Sequence, residues 1–431
     1  MTAAVERTFS SLAIPNYRRY FTGQVISISG NWMQTVAEMW LIVQLTGSGV
    51  SVGLTAGLQF LPVLLFGAWG GLLADRLPKR QLLMLTQALM ALPALTLWIL
   101  YERGTIQVWM VFALVFVRGL VNAFDNPARQ SFVVELVGGE RVVNAVSLNS
   151  VVVHTSRIAG PALAGAVIAT VGVGTCFLVN TLSFAAMLVA LKLMNPRELL
   201  TAAPVARARG QLRTAFAHVR STPGLLIPLA MMAVVGTLSY NFQVLLPLIA
   251  RFDWHGGASI YAALTVAMGL GSVSGALASS ARNRVTPRLL VIAAMGFGVA
   301  ELAVAAAPVL WLQLMALALL GAVSVTFAAT TNSLLQLSVE PALRGRVMSL
   351  YTVVFLGSTP IGAPLVGWMA QAAGPRSGLL LGAVAALVTG LVARIAFARA
   401  EVSLARPPSP CEAEGRRHSA SSRAASAAAS A

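Results

Sequence analysis

The chain has 431 residues, 57% of them hydrophobic and only 10% charged, with a net charge of +16. Ordinary soluble domains carry about 25% charged residues, so a water-soluble globule is excluded and the bilayer is the natural solvent. The positive charge invites a nucleic-acid partner, but its distribution along the chain argues against one.

Apolar runs of about 20 residues are long enough to cross a bilayer as helices. Twelve are predicted, near residues 21–45, 52–74, 81–101, 107–126, 144–171, 175–194, 224–250, 258–279, 287–307, 309–332, 347–372 and 377–398. Arg7, Arg18 and Arg19 precede the first run, with no short apolar core and small-residue cleavage site. That helix is therefore expected to insert directly and stay. With the N-terminus on side one, the termini and even-numbered loops hold 25 of the 30 Lys and Arg. The odd-numbered loops hold Arg103, Arg251 and Arg376, and Arg118 and Arg157 fall inside spans. This asymmetry predicts both termini in the cytoplasm of a cell inner (plasma) membrane. The charge sets topology and needs no polyanion, so nucleic acid is not an expected partner.

In the first span, Glu38 is an intramembrane carboxylate, a functional residue by default. It either switches a proton or accepts a hydrogen bond at a cavity wall. Gln34, one turn earlier, is a candidate cavity residue. The second span ends in Gly67-Ala-Trp-Gly-Gly71, then Asp75, then Arg76, Lys79 and Arg80. Small residues at four-residue spacing let helices approach closely. A carboxylate at a helix end can accept from a neighbouring helix N-terminus, and the basic residues can pair with acids on adjacent helices. Together they read as a latch, made in one conformation and broken in another. Alternatively Arg76, Lys79 and Arg80 are topology signals alone.

In the fourth span Arg118 needs an interior partner, since a lone charge mid-helix costs at least ~2.5–3.5 kcal/mol on insertion scales. Asp125 lies two turns further on and is expected to join the latch by pairing with Arg76 or Arg80, unless it is a solvated acid at the helix end. Asn126-Pro127 is expected to end that helix. In the fifth span His154 and Arg157 share a face, and Gly160-Pro161-Ala-Leu-Ala-Gly165 permits bending and close packing. Asn149 is a further cavity candidate. Segment 195–222 is the longest internal hydrophilic stretch and divides the spans six and six. Beyond it, Tyr240, Asn241 and Gln243 on the seventh span either line the cavity or bond between helices. Glu301, in the ninth, is a weaker proton candidate because it nears the outer surface.

The second half repeats the first. Gly67, Gly71, Asp75 and Arg80 are answered by Gly271, Gly275, Ser279 and Arg284. At an offset of 202, Ala145–Leu148 lies over Val347–Leu350, and Gly160, Gly165 and Gly172 lie over Gly362, Gly367 and Gly374. Six spans per half preserve orientation, so the repeats are parallel. The expected architecture is an all-α membrane protein of twelve transmembrane helices in two parallel six-helix repeats. The units are 1–194, a cytoplasmic linker 195–222, a second half 223–400, and a Ser/Ala/Arg/Pro-rich tail 401–431 expected to be disordered.

The 67–80 stretch resembles the signature loop of the major facilitator superfamily, Gly-x-x-x-Asp-Arg-x-Gly-Arg-Arg, with Pro78 replacing the second glycine and Lys79 the next arginine. Asn16-Tyr-Arg-Arg-Tyr20, Gly30-Asn-Trp-Met-Gln-Thr35, Leu45-Thr-Gly-Ser48, Arg118-Gly-Leu-Val-Asn-Ala-Phe-Asp-Asn-Pro-Ala-Arg-Gln130 and Leu343-Arg-Gly-Arg-Val-Met-Ser-Leu350 are similar to its drug and proton antiporter branch. That branch includes the enterobactin exporter and macrolide efflux proteins. The resemblance runs from about residue 8 to 398. It implies the major facilitator fold, a proton role for Arg118, a place for Arg346 in the latch, and an exporter motif at Gly160, Pro161 and Gly165. In an antiporter of this kind, Glu38 with Arg118 would form the proton-coupling pair.

The leading expectation is a secondary active exporter of a small amphipathic organic molecule, a siderophore or a drug such as a macrolide, exchanged for protons. An importer or lipid flippase on the same fold, and less readily a non-transporting receptor or an enzyme, are the alternatives. No Gly-x-x-x-x-Gly-Lys-Ser/Thr loop is present, so ATP is not the implied energy source. Cys176 and Cys411 cannot plausibly pair, and the four histidines are scattered. No metal or cofactor is expected. The expected partners are a small-molecule substrate, protons and membrane lipid, with the protein acting as a monomer.

Overall fold

A computed structural model of the chain describes residues 10–200, 219–220, 222–282, 285–339 and 341–405. The described residues form helices and connections, with no strand. The helices are α1 (Pro15–Thr46), α2 (Gly49–Arg76), α3 (Lys79–Glu102), α4 (Val108–Gly139), α5 (Arg141–Thr170), α6 (Val173–Lys192), α7 (Pro223–Asp253), α8 (Ala258–Ser280), α9 (Pro287–Ala306), α10 (Leu310–Ser338), α11 (Leu343–Ala373) and α12 (Pro375–Ala405). Eleven stretches among the described residues are long and apolar enough to cross a membrane. The remaining helix is α1. It is 32 residues long, but Gln24, Ser27, Asn31, Gln34 and Glu38 recur every three or four positions. Residues so spaced share one face, and α1 turns this polar stripe inward.

The repeat is visible in the backbone. Gly172 and Gly374, 202 positions apart, close α5 and α11 with φ of 110° and 88°, values that an L side chain rarely adopts. Gly160 brings α5 against α1 at Trp32, and Gly362 brings α11 against α7 at Thr237. Gly165 presses α5 on Ala262 of α8, and Gly367 presses α11 on Gly49 of α2. Thus α5 and α11 play equivalent parts, each binding its own half and reaching across to the other. The GxxxG reading of the second span needs correction at one position. Gly67 meets no neighbouring helix, whereas Gly70 is the residue that abuts the Ala123 carbonyl of α4. In the second half Gly271 and Gly275 do abut a partner, the Ala318 and Ala322 carbonyls of α10.

Proline does not end α4 as expected. The helix runs through Pro127 and breaks at Gly138, where φ is 70° and ψ is 174°. A proline inside a helix forfeits one backbone bond, and its own φ is already helical. Gly138 instead takes a conformation that other residues strain to reach. Arg129, read from sequence as a loop cation, therefore lies within the helix. Two spans are interrupted: α7 at Ser239–Asn241 and α11 at Ser358.

The close approaches between the halves lie toward the end of the bundle remote from the basic loops. There Gly49, Gly53 and Gly57 of α2 abut Gly367, Ala363 and Pro364 of α11. Ser48 Oγ donates to Gln371 Oε1 at 2.7 Å, and Trp40 stacks on Tyr261. Toward the basic end, no hydrogen bond or ion pair joins the halves among the described residues. The hydrogen bonds between the halves therefore gather at the far end. Most of 195–222 and the tail from 406 onward lie outside the described residues.

Candidate functional site

The inward face of α1 organises the site. Glu38 is fully buried and accepts an ion-paired hydrogen bond from Arg118 Nη2 of α4. Its other carboxylate oxygen accepts from Gln34 Nε2 at 2.7 Å. Gln34 Oε1 in turn accepts from Asn180 Nδ2 of α6, and Ser183 Oγ donates to Asn180 Oδ1 at 2.7 Å. A polar chain thus runs from α4 through α1 to α6 in the interior of the first half. Gly30 makes room for it, because a Cβ there would collide with the Asn180 and Ser183 side chains. Arg118 Nε has no partner, so Glu38 is the acid that answers this arginine.

A second cluster lies closer to the basic end. Asp125 accepts from Arg129 Nε at 2.5 Å, from Thr86 Oγ1 at 2.6 Å and from Gln87 Nε2 at 2.8 Å. Ser27 of α1 joins through Gln87 at 3.2 Å and Arg129 at 3.3 Å. The expected pairing of Asp125 with Arg76 or Arg80 is therefore replaced. Arg129 stands one turn from Asp125 on the same helix, the i,i+4 spacing that brings side chains together. Arg80, in the first turn of α3, donates to the Leu191 and Lys192 carbonyls at 2.8 and 3.2 Å. There it satisfies open acceptors at the C-terminus of α6, where a cation is favourable. Lys79 forms a buried ion pair with Glu135 at 2.7 Å, and Arg76 is exposed. The side chain of Asp75 and residue Arg284 lie outside the described residues, and Arg346 is half-buried near the start of α11.

The cavity candidates divide. Gln34 is not on a cavity wall in this conformation, being fully buried with both ends of its amide engaged. Asn149 is half-buried and accepts from Gln24 of α1. Asn241 is buried and donates to the Thr237 carbonyl at 2.7 Å, where α7 is interrupted. Gln243 is half-buried with Oε1 unpartnered. Tyr240 is half-buried, donates to the Ser324 carbonyl at 2.5 Å, and packs edge-on against Phe242, Phe297 and Phe355. Glu301, toward the outer end of α9, is fully buried, beside the α7 interruption and Gly382 of α12.

Sequence reasoning missed Arg129, Asn180 and the Lys79–Glu135 pair. The first had a signal, four residues after Asp125, that the expected helix end at Pro127 concealed. Asn180 gave none, since one amide in an apolar helix does not show which way it faces. Among the described residues no group of three His, Cys, Asp or Glu could hold a metal.

A family model for transmembrane secretion effectors matches residues 6–410. The chain belongs to this family. Several curated relatives are similar along most of their length. The staphyloferrin A transporter of Staphylococcus aureus is 25% identical, over 82% of this chain and 89% of its own. The multidrug efflux pump Tap of Mycolicibacterium fortuitum is 28% identical, over 88% and 95%. The enterobactin exporter EntS of Citrobacter koseri is 26% identical, over 92% and 95%. Among solved structures, a bacterial homologue of the lysosomal transporter Spinster, inward-facing and unoccupied, superposes with a TM-score of 0.72 at 14% identity, covering 92% of this chain and 99% of that one. The nucleoside transporter NupG gives 0.71 at 12%, covering 89% and 99%. The major facilitator fold and the multi-pass membrane character follow.

Proposed function

We propose that this protein is a secondary active exporter that moves a small amphipathic organic molecule outward in exchange for protons. The Glu38–Arg118 pair is its coupling element. The named relatives handle siderophores and drugs, which supports export and sets the size of the substrate. The observation that carries the coupling is the buried ion pair itself. Arginine stays charged under all ordinary conditions, whereas a carboxyl can take up a proton. Protonation of Glu38 would leave Arg118 buried without a counter-charge, an arrangement that is strongly unfavourable. Arg118 would then need a new partner or water, and rocking of the halves about the central site supplies it.

In this reading the basic end is cytoplasmic, and a conformation open there is the one that loads substrate. Asp75, with Gly71, Arg76 and Arg346, forms a latch that closes the basic end. Arg80 and Asp125 contribute by fixing α6 and α4 in place. The test is transport in inside-out vesicles. Glu38→Gln should still exchange substrate across a membrane without a gradient, yet fail to accumulate it when a pH gradient is imposed. Accumulation by Glu38→Gln equal to wild type would place the proton elsewhere. The same assay reads direction, so an importer would reveal itself as uptake of the opposite sign.

A further inference from the structure

Among the described residues, Arg157 is a membrane-depth cation that the coupling reading does not use. Arg157 lies midway along α5, the helix that makes the cross-half contact. Its guanidinium sits over the Trp32 ring of α1, 5.3 Å from the centroid. Gly269 of α8, in the other half, packs against Ile158 and the Arg157 backbone. Yet Arg157 is not covered by protein. A group with protein from both halves beside it, yet left uncovered, faces the gap between the halves. His154 is one turn away on the same helix and has an unpartnered Nδ1.

Among the described residues no carboxylate answers this charge. Glu38 is held by Arg118, Asp125 by Arg129, Glu135 by Lys79 and Asp253 by Arg376. Glu301 is sealed in the second half. Among the described residues Arg157 makes no ion pair and no hydrogen bond. Charges at membrane depth almost always pair or face a functional pathway, so the missing counter-charge is one that arrives and leaves. A guanidinium meets a carboxylate with two parallel hydrogen bonds, and the indole of Trp32 offers apolar contact to the rest of a ligand.

We infer that Arg157, flanked by Trp32 and His154, anchors the substrate, and that the exported molecule is an organic anion bearing carboxylate groups. An amine-bearing cationic drug would meet uncompensated like charge here. The inference rests on the export reading for its substrate but not on how protons are coupled.

Equilibrium binding to the full-length protein in lipid nanodiscs tests it, with 6-carboxyfluorescein as anion and ethidium as cation, read by fluorescence anisotropy. Wild type should bind the anion at least about tenfold more tightly than the cation. Arg157→Gln should lose at least about tenfold in anion affinity without weakening ethidium, and Arg157→Lys should stay within about threefold of wild type. Anion affinity in wild type should also fall as salt rises, because the contact is between charges. That arm stands even where Arg157→Gln fails to insert. Tighter ethidium binding, no binding of either dye, unchanged anion affinity in Arg157→Gln, or salt-independent binding would each overturn the assignment. No pH gradient is involved. A variant that binds the anion normally but cannot pump therefore faults the coupling pair and leaves the anchor intact.

Discussion

Breaking the Glu38–Arg118 pair from either side should not cost the same. Glu38 is fully buried and Arg118 nearly so, with the guanidinium Nε already unpartnered. Glu38→Gln keeps the bond from Gln34 but leaves the arginine charge with no acid. Removing one partner of a buried pair costs ~3–5 kcal/mol. For a unit the size of one half, each kcal/mol moves the unfolding midpoint by about 2–4 °C, so a loss of roughly 6–20 °C is expected. Arg118→Gln leaves a carboxyl that can neutralise itself by taking a proton, and its cost near neutral pH should be clearly smaller. Glu38→Gln/Arg118→Gln together should recover most of the loss, since two neutral amides of similar volume bury no charge. Thermal unfolding of detergent-purified protein, followed by the loss of monodisperse material, measures all three. If Arg118→Gln proves as damaging as Glu38→Gln, or the double variant is no better than the worse single one, the pair does not hold the charge balance argued here.

Further expectations concern the ends of the bundle. Gly367→Ala places a methyl against the Gly49 carbonyl, backbone that cannot yield, so the far end should open. Cross-linking of Ser48→Cys with Gln371→Cys should drop several-fold in that background, and an unchanged yield would refute the contact. Arg80→Ala removes the donor at the end of α6 and should cost only ~0.3–1 kcal/mol, read as a small shift in the unfolding midpoint with transport retained. Asp75→Asn should leave insertion normal and cut transport strongly; normal flux at equal expression would reduce the motif to a topology signal. A reporter fused after residue 205 should behave as cytoplasmic and one beside Arg103 as external, and the reverse would overturn the orientation.

The sequence by itself determined that this is a helical membrane protein of two parallel halves. That information is one-dimensional: run lengths, loop charge, and glycines that keep their spacing at an offset of 202. Glycine registers survive as signal because a close helix approach tolerates no side chain, wherever the helices later pack. Sequence also marked Glu38 and Arg118, since each carries a charge where a bilayer punishes one. Only the tertiary structure decided who pairs with whom. Asp125 found Arg129 rather than Arg80 because α4 continues through Pro127, and helix continuation is a balance that local sequence leaves undecided. Gln34 proved to be an interior link because Asn180 of α6 faces it, a juxtaposition set by packing between helices far apart in the chain. The unanswered charge of Arg157 is likewise a property of the assembled bundle. It shows only once the buried acids of the described residues have been placed, each paired or sealed away, with Glu102 and Glu198 exposed at helix ends.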